Sequence, residues 1–129
     1  MPQTHSRTVP GGRGHYLTER LWELAAGLPV AWIRIESIAE FDRDCWFRGR
    51  GPTIREVADH LRRVQSADLR HPVILNADGG LMDGGHRLVK AWLAGATEIA
   101  SVRFPETPAP DWIVPDADGL SVGPGSMEE

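Results

Sequence analysis

The chain of 129 residues has one cysteine, Cys45, and no long hydrophobic run. A single cysteine excludes a disulfide within the chain and a zinc site built from several cysteines. Because no apolar segment reaches membrane-spanning length and the N-terminus has no signal-peptide core, we expect a cytoplasmic protein with no membrane partner. Excess positive charge is also absent. The net charge of −4 gives no reason to expect a nucleic-acid partner.

The length predicts one domain with its own core. Hydrophobic residues make up 41% of the chain and charged residues 25%, as in ordinary globular proteins. We expect the domain to span residues 15–104. Residues 1–14 are predicted to be a flexible lead-in, and residues 105–129 a proline-, glycine- and acid-rich tail docked at most by Trp112, Ile113 and Val114.

Hydrophobic periodicity and turn residues divide the domain into three helices and about four strands. Helices are predicted at residues 16–26, from residue 53 onward, and at about 86–94, and strands at 30–35, 72–75, 81–82 and 99–104. Thr53 and Glu56 fit a capping box at the start of the second helix. This order of elements predicts a compact α/β domain with a small mixed sheet.

Helical spacing also predicts which side chains face the core. The core side of the second helix is predicted to carry Ile54, Val57, Ala58, Leu61 and Val64. The core side of the third helix is predicted to carry Leu88, Val89, Trp92 and Leu93. In the third helix the other side carries His86, Arg87 and Lys90.

The most informative motif is Asp83-Gly84-Gly85-His86-Arg87, between a predicted strand and a predicted helix. Backbone N–H groups in a first helical turn have no partner within the helix, and the helix dipole favours an anion there. Glycines let a ligand approach the backbone, and the two basic side chains add donors. Since stability alone favours acidic residues in that turn, the motif favours a phosphate. The alternative is a tight turn capped by Asp83, with both basic side chains in solvent.

A predicted loop at residues 36–51 carries several carboxylates. They are Glu36, Glu40, Asp42 and Asp44. Each one alone is typical of a solvated loop, but one of them could lie opposite the glycine turn and bind Mg²⁺ or take a proton from a hydroxyl. Trp46 and Phe47 could cover a nucleotide base, although packing over the core is favoured.

Other basic residues give weaker signals. Arg62, Arg63 and Arg70 are most simply a solvated face, with a phosphate-facing role as the alternative. The histidines are scattered without metal-binding spacing, so we predict no metal site made by the protein alone.

Over about residues 30–104 the chain resembles the ParB N-terminal/sulfiredoxin-like superfamily. The motifs that carry this resemblance are Pro72-Val73-Ile74-Leu75, Asp78-Gly79, Met82-Asp83-Gly84-Gly85-His86-Arg87 and Ala91-Trp92-Leu93-Ala94-Gly95. The resemblance implies a compact α/β fold whose glycine turn and following helix bind nucleotide phosphates. It therefore implies that a nucleotide (ATP, ADP or CTP), with or without Mg²⁺, is held by Asp83, Gly84, Gly85, His86 and Arg87.

The branches of this superfamily differ in chemistry. Sulfiredoxins have a cysteine where this chain has Gly85, so their reductase reaction is not expected. ParB partition proteins carry a Gly-Glu-Arg-Arg type motif and add a helix-turn-helix module, which we do not find here. The free serine kinases have Asp-Gly-His-His-Arg, which this chain matches at four of five positions. Their catalytic carboxylate follows the first strand, where Asp42 falls, with Glu40 and Glu36 nearby.

These observations predict a nucleotide-phosphate-binding protein. As an enzyme it would be an ATP- or CTP-dependent kinase or NTPase, that is, a phosphotransferase or nucleotide hydrolase acting on a small molecule. The alternative is a non-catalytic module that senses a nucleotide or regulates DNA partition. The nucleotide, the phosphoryl acceptor and the oligomeric state stay open.

Overall fold

The computed structural model describes residues 3–47 and 49–116, so Arg48 and the last part of the predicted tail lie outside the described residues. In chain order the elements are β1 (Thr4–Val9), β2 (Gly12–Leu17), α1 (Thr18–Ala25), β3 (Ala31–Arg34), α2 (Ile54–Ser66), β4 (Val73–Leu75), β5 (Leu81–Asp83), α3 (Gly85–Leu93), β6 (Glu98–Arg103) and β7 (Trp112–Pro115). This mixture of helices and strands confirms the predicted fold class. None of the described helices has the length and apolar character needed to cross a membrane.

The strands form two sheets. The four-stranded sheet has the order β3-β6-β4-β5, in which β4 and β6 run parallel and the outer strands pair antiparallel with their neighbours. It is the mixed sheet that the sequence predicts. The second sheet, of order β1-β2-β7, was not predicted.

The segment 4–17 is a β-hairpin, so the predicted flexible lead-in is wrong there. β1 and β2 pair antiparallel along their length, and the turn uses Gly11 and Gly12 at φ of 90° and 153°. Tyr16 is fully buried, and its hydroxyl donates to the backbone oxygen of Pro108 at 2.8 Å. Backbone pairing and one buried tyrosine hold this hairpin, and composition alone therefore does not reveal it.

The described part of the predicted tail docks through its backbone. Trp112, Ile113 and Val114 lie in β7 and pair with β2, but their side chains remain exposed. The Asp111 carboxylate accepts a hydrogen bond from the backbone N–H of Leu17 at 2.8 Å. Main-chain pairing and the Asp111 side chain thus hold this segment, rather than burial of its apolar side chains.

The core covers both faces of the four-stranded sheet. On β4, Ile74 belongs to a cluster with Tyr16 and Leu21, whereas Val73 and Leu75 belong to a second cluster under α3. Alternate residues of a strand point to opposite faces. The hairpin and α1 therefore cover one face, and α3 covers the other.

The predicted core side of α2 is largely exposed. Its capping box at Thr53 and Glu56 is present as expected. Of the predicted stripe, however, only Val64 is buried, while Ile54 is 91% exposed and Leu61 is 50% exposed. The helix thus packs mainly through its C-terminal part.

The core side of α3 also differs from the prediction. Arg87 is buried together with Leu88 and Ala91, whereas Trp92 and Leu93 are exposed. The physical reason is that a carboxylate neutralises Arg87, because an arginine can enter a core only with a partner. Helical spacing alone does not anticipate that partner.

Candidate functional site

A cleft of about 940 Å³ lies beside the start of α3, within the size range of small-molecule pockets. Its floor is the end of β5 and the glycine turn, and its walls come from α1, α2 and the loop at residues 40–47. The predicted motif thus lies in a concave site shared by several elements.

The glycine turn joins β5 to α3, where the sequence places it. Gly84 precedes α3 at φ 113°, and a Cβ there would lie 2.7 Å from the Val73 side chain. A Cβ on Gly85 would lie 3.2 Å from the Trp46 ring. Among the described residues no side chain caps the start of α3, so its first-turn N–H groups have no side-chain acceptor.

Asp83 joins the glycine turn to two cleft walls. Its Oδ2 accepts a hydrogen bond from the Trp22 Nε1 at 2.7 Å and another from the Arg87 Nη2 at 2.7 Å. The Arg87 guanidinium also lies 5.7 Å from the centre of the Trp22 ring, at cation–π distance. These contacts fix the position of the arginine.

Arg87 is only 7% exposed, and its Nε is buried with no hydrogen-bond partner among the described residues. Its side chain lines the cleft. A buried donor without an acceptor is costly, and a ligand acceptor would remove that cost. Arg87 therefore retains donor capacity, although its charge is already paired with Asp83.

His86 forms a pair with His60 of α2. His60 Nδ1 lies 2.8 Å from His86 Nε2, a hydrogen bond whose direction depends on the tautomers. The Trp46 ring stacks on both imidazoles, with ring centres 4.3 Å from His60 and 4.7 Å from His86. We call these three residues the aromatic cap.

Both histidines of the aromatic cap are neutral at pH 7. Burial, followed by the nearby His60 and Arg63, lowers the pKa of His86 to about 4. Burial and the charge of Arg63 also lower the pKa of His60. The motif at the start of α3 thus carries less positive charge than the sequence suggests, since His86 is neutral and Arg87 is paired.

The positive charge available to a ligand comes from Arg63 of α2 and from Arg43 of the loop at residues 40–47, which both line the cleft. Arg63 lines the cleft and makes no ion pair with another described residue. The neighbouring Arg62 does not line the cleft, and its Nη1 lies 3.8 Å from the Asp59 carboxylate. Of the alternatives for these arginines, the geometry favours a ligand-facing role for Arg63 and a solvated one for Arg62.

The predicted carboxylates separate into two groups. Glu40 lines the cleft, and its Oε1 is buried without a hydrogen-bond partner among the described residues. Glu36 and Asp42 are exposed and do not line the cleft, and Glu36 pairs with Arg34 at 3.5 Å. The fold therefore brings Glu40 to the same cleft as the glycine turn, but not the other two.

Asp44 has a structural role in the loop. Its carboxylate accepts hydrogen bonds from the backbone N–H groups of Phe47 and Gly49 at 2.7 Å and of Trp46 at 3.1 Å. The bonds from Phe47 and Gly49 lower the pKa of Asp44 most. This arrangement fixes the loop that carries Trp46.

The described residues contain no group of three or more histidine, cysteine or acidic side chains placed to hold a metal ion. A Mg²⁺ ion often takes only one or two protein carboxylates and completes its shell with phosphate oxygens and water. In this cleft Glu40 is the carboxylate with a buried oxygen still open to a partner.

Sequence reasoning missed Trp22 and His60, and left Arg63 undecided. Trp22 gave no signal, because nothing local shows that an indole on one helix meets an aspartate on a distant strand. His60 and Arg63 gave a weak sequence signal. They lie three residues apart and so share a side of α2, as side chains at that spacing do.

We expect Asp83→Ala to lower the free energy of unfolding by about 3 kcal/mol, because it leaves the buried Arg87 charge without its partner. Asp83→Ala/Arg87→Leu should recover part of this loss. The control Glu36→Gln breaks only an exposed ion pair and should stay within about 0.5 kcal/mol of the wild type. Urea denaturation measures all three. Equal losses for Asp83→Ala and Glu36→Gln would contradict the role given to Asp83.

The His86 pKa predicts a pH dependence of stability. His86 takes up a proton near pH 6.5 when unfolded but only near pH 4 when folded, so its contribution is present above pH 6.5 and is lost as the pH falls through that window. Urea denaturation between pH 7 and pH 4 should therefore show a shallower fall in His86→Gln than in the wild type. His15→Gln, outside the cleft, is the control. Parallel curves for wild type and His86→Gln would refute the prediction.

Comparisons with models of protein families, with curated proteins and with solved structures found no match for this chain. The resemblance to the ParB N-terminal/sulfiredoxin-like superfamily thus stays a prediction from the sequence motif.

Proposed function

We propose that the protein binds a nucleotide in this cleft and holds its phosphates at the start of α3. The observation that carries the proposal is the combination of an uncapped, glycine-built helix start with the buried Arg87, whose Nε has no described partner. The helix start supplies N–H donors and a favourable dipole, and the arginine supplies a charged donor. Arg63, which makes no ion pair with another described residue, adds further positive charge.

The size and walls of the cleft favour a nucleotide over a bare phosphate. A volume of about 940 Å³ far exceeds what one phosphate group fills. Trp22, Trp46 and Phe47 line the same space. Aromatic side chains are common platforms for nucleobases, because every base has a flat face to stack.

The reaction that best fits the cleft is transfer of the terminal phosphoryl group to a small hydroxyl compound or to water. In that step the acceptor oxygen bonds to phosphorus, the bond to the nucleotide leaving group breaks, and Glu40 takes the acceptor proton. Mg²⁺ would neutralise the phosphate charge when it is bound with the nucleotide. A cytoplasmic location, where nucleotides are made and used, suits this proposal.

A second candidate is a non-catalytic nucleotide sensor. The position of Trp46 favours it, because its ring would lie 3.2 Å from a Cβ on Gly85 and both residues line the cleft, so a ligand at the start of α3 would meet the loop at residues 40–47. Ligand occupancy could then be passed to a partner through that loop. The two candidates share the binding site. Only the enzyme turns the nucleotide over, and only the enzyme needs Glu40 as a base.

We expect Arg63→Gln to weaken binding of ATP, ADP or CTP by about 1.5–3 kcal/mol, the value of a hydrogen bond to a charged group. The matched control is Arg62→Gln, because Arg62 is the adjacent arginine and does not line the cleft. Calorimetry with and without Mg²⁺ measures both variants. Equal affinities for the two variants would remove Arg63 from the site. Absence of binding by all three nucleotides to the wild type would end the proposal.

If the protein is a phosphotransferase or hydrolase, Glu40→Gln should lower kcat by at least about 100-fold, as expected for loss of a general base. Nucleotide affinity should change little. Asp42→Asn and Glu36→Gln are controls of the same chemistry outside the cleft and should keep wild-type turnover. Release of inorganic phosphate and of nucleoside diphosphate measures the reaction. Full turnover in Glu40→Gln would exclude this residue as the base, and nucleotide binding without turnover in the wild type would favour the sensor.

A further inference from the structure

The His60–His86 pair lies in the same cleft as the proposed phosphate site and is held without a net charge. The pair is stacked under Trp46, and burial together with Arg63 disfavours an added proton on either ring. When both rings are neutral, an N–H of one ring donates to the bare nitrogen of the other ring, and no extra proton is needed. The other two ring nitrogens have no hydrogen-bond partner among the described residues.

The charged groups around the pair come from every element that packs against it. They are Glu56, Asp59 and Arg63 of α2, Asp83 of β5, Arg87 of α3, and Arg43 and Asp44 of the loop that lines the same cleft. Arg63 acts on both rings and opposes their protonation. Asp83 favours protonation of His86, but this carboxylate is already occupied by Arg87 and Trp22. Burial is the largest cause that keeps the pair neutral, and Arg63 adds to it.

An oxyanion in the cleft would oppose the effect of Arg63. It would lie between the start of α3 and Arg63, and its negative charge would offset the field that Arg63 exerts on the imidazoles. Opposite charge within about 4–6 Å favours the charged form of a titrating group by about 1–3 pKa units. The face of the Trp46 ring, already stacked on the pair, also attracts a cation.

We propose that occupancy of the cleft by an oxyanion is coupled to uptake of one proton from solvent by the His60–His86 pair. This inference rests on the proposed function, because it needs the oxyanion at the start of α3. Coupling between two binding events is reciprocal, so the proton must also tighten binding of the anion. For an anion that does not itself titrate, affinity then rises as the pH falls. The rise is up to about tenfold per pH unit between the pKa of the pair in the complex and its pKa in the free protein.

The test is a pH titration of the histidine ring nitrogens by NMR, in full-length ¹⁵N-histidine protein. Spectra are recorded in chloride, in sulfate at matched ionic strength, and with ATP. The pair should titrate at least about one pH unit higher with sulfate or ATP than in chloride. His15, which stacks on Trp112 outside the cleft, is the internal control.

The exposed side chain of Arg63 offers a variant that tests the same electrostatics without a ligand. Arg63→Gln should raise the pKa of the pair in chloride, since the like charge is gone. The control Arg62→Gln should change it much less. If both variants titrate like the wild type, Arg63 does not set the charge of the pair, and the coupling is overturned.

The failure of this coupling can be told apart from the failure of the site. If the backbone amide signals of Gly85 and His86 shift with sulfate or ATP while the pair titrates as in chloride, the coupling is wrong and the binding site stands. If neither ligand shifts these amide signals, the cleft holds no oxyanion, and the proposed function and the coupling fall together.

Discussion

The Asp83 carboxylate is the interaction on which the rest of the cleft depends. It receives the Trp22 indole from α1 and the Arg87 guanidinium from α3, and it ends the strand that leads into the glycine turn. One charge therefore ties three elements together and allows an arginine to enter the core side of α3. The Asp83 carboxylate therefore holds the buried Arg87 donor in the first turn of α3.

This pairing also changes where the positive charge of the site lies. The motif Gly85-His86-Arg87 suggests two cations at the helix start, but burial keeps His86 neutral and Asp83 neutralises Arg87. Among the described residues, Arg63 of α2 and Arg43 of the loop at residues 40–47 line the cleft without an ion pair. An anion bound there would meet helix amides on one side and an arginine on the other, which is a more directional site than a cluster of surface charges.

Much of the fold was predictable because it follows from local patterns. The capping box at Thr53, the strand-to-helix turn at Gly84 and the mixed four-stranded sheet all appear as predicted. The hairpin at residues 4–17 was not predictable, because its strands are polar and its stability comes from pairing and one buried tyrosine. The orientation of α3 was missed for a related reason: its buried side includes a charge whose partner precedes the helix.

The candidate site was only half predictable. The glycine turn could be identified from its sequence, whereas Trp22 and His60 come from helices distant in the chain. Among the predicted carboxylates, the sequence could not single out Glu40, because only the path of the loop decides which side chain faces the cleft. A local pattern thus identifies the glycine turn, which would bind through its backbone. The side chains around it are brought there by contacts between distant parts of the chain.

The central claim is that phosphate oxygens bind at the start of α3, and the most direct measurement is a crystal structure of the protein with ADP. We expect a phosphate oxygen within about 3.2 Å of the backbone nitrogen of Gly85, His86 or Arg87, with the Arg63 side chain turned toward the phosphates. A complex in which ADP leaves these nitrogens bare and binds elsewhere would contradict the claim.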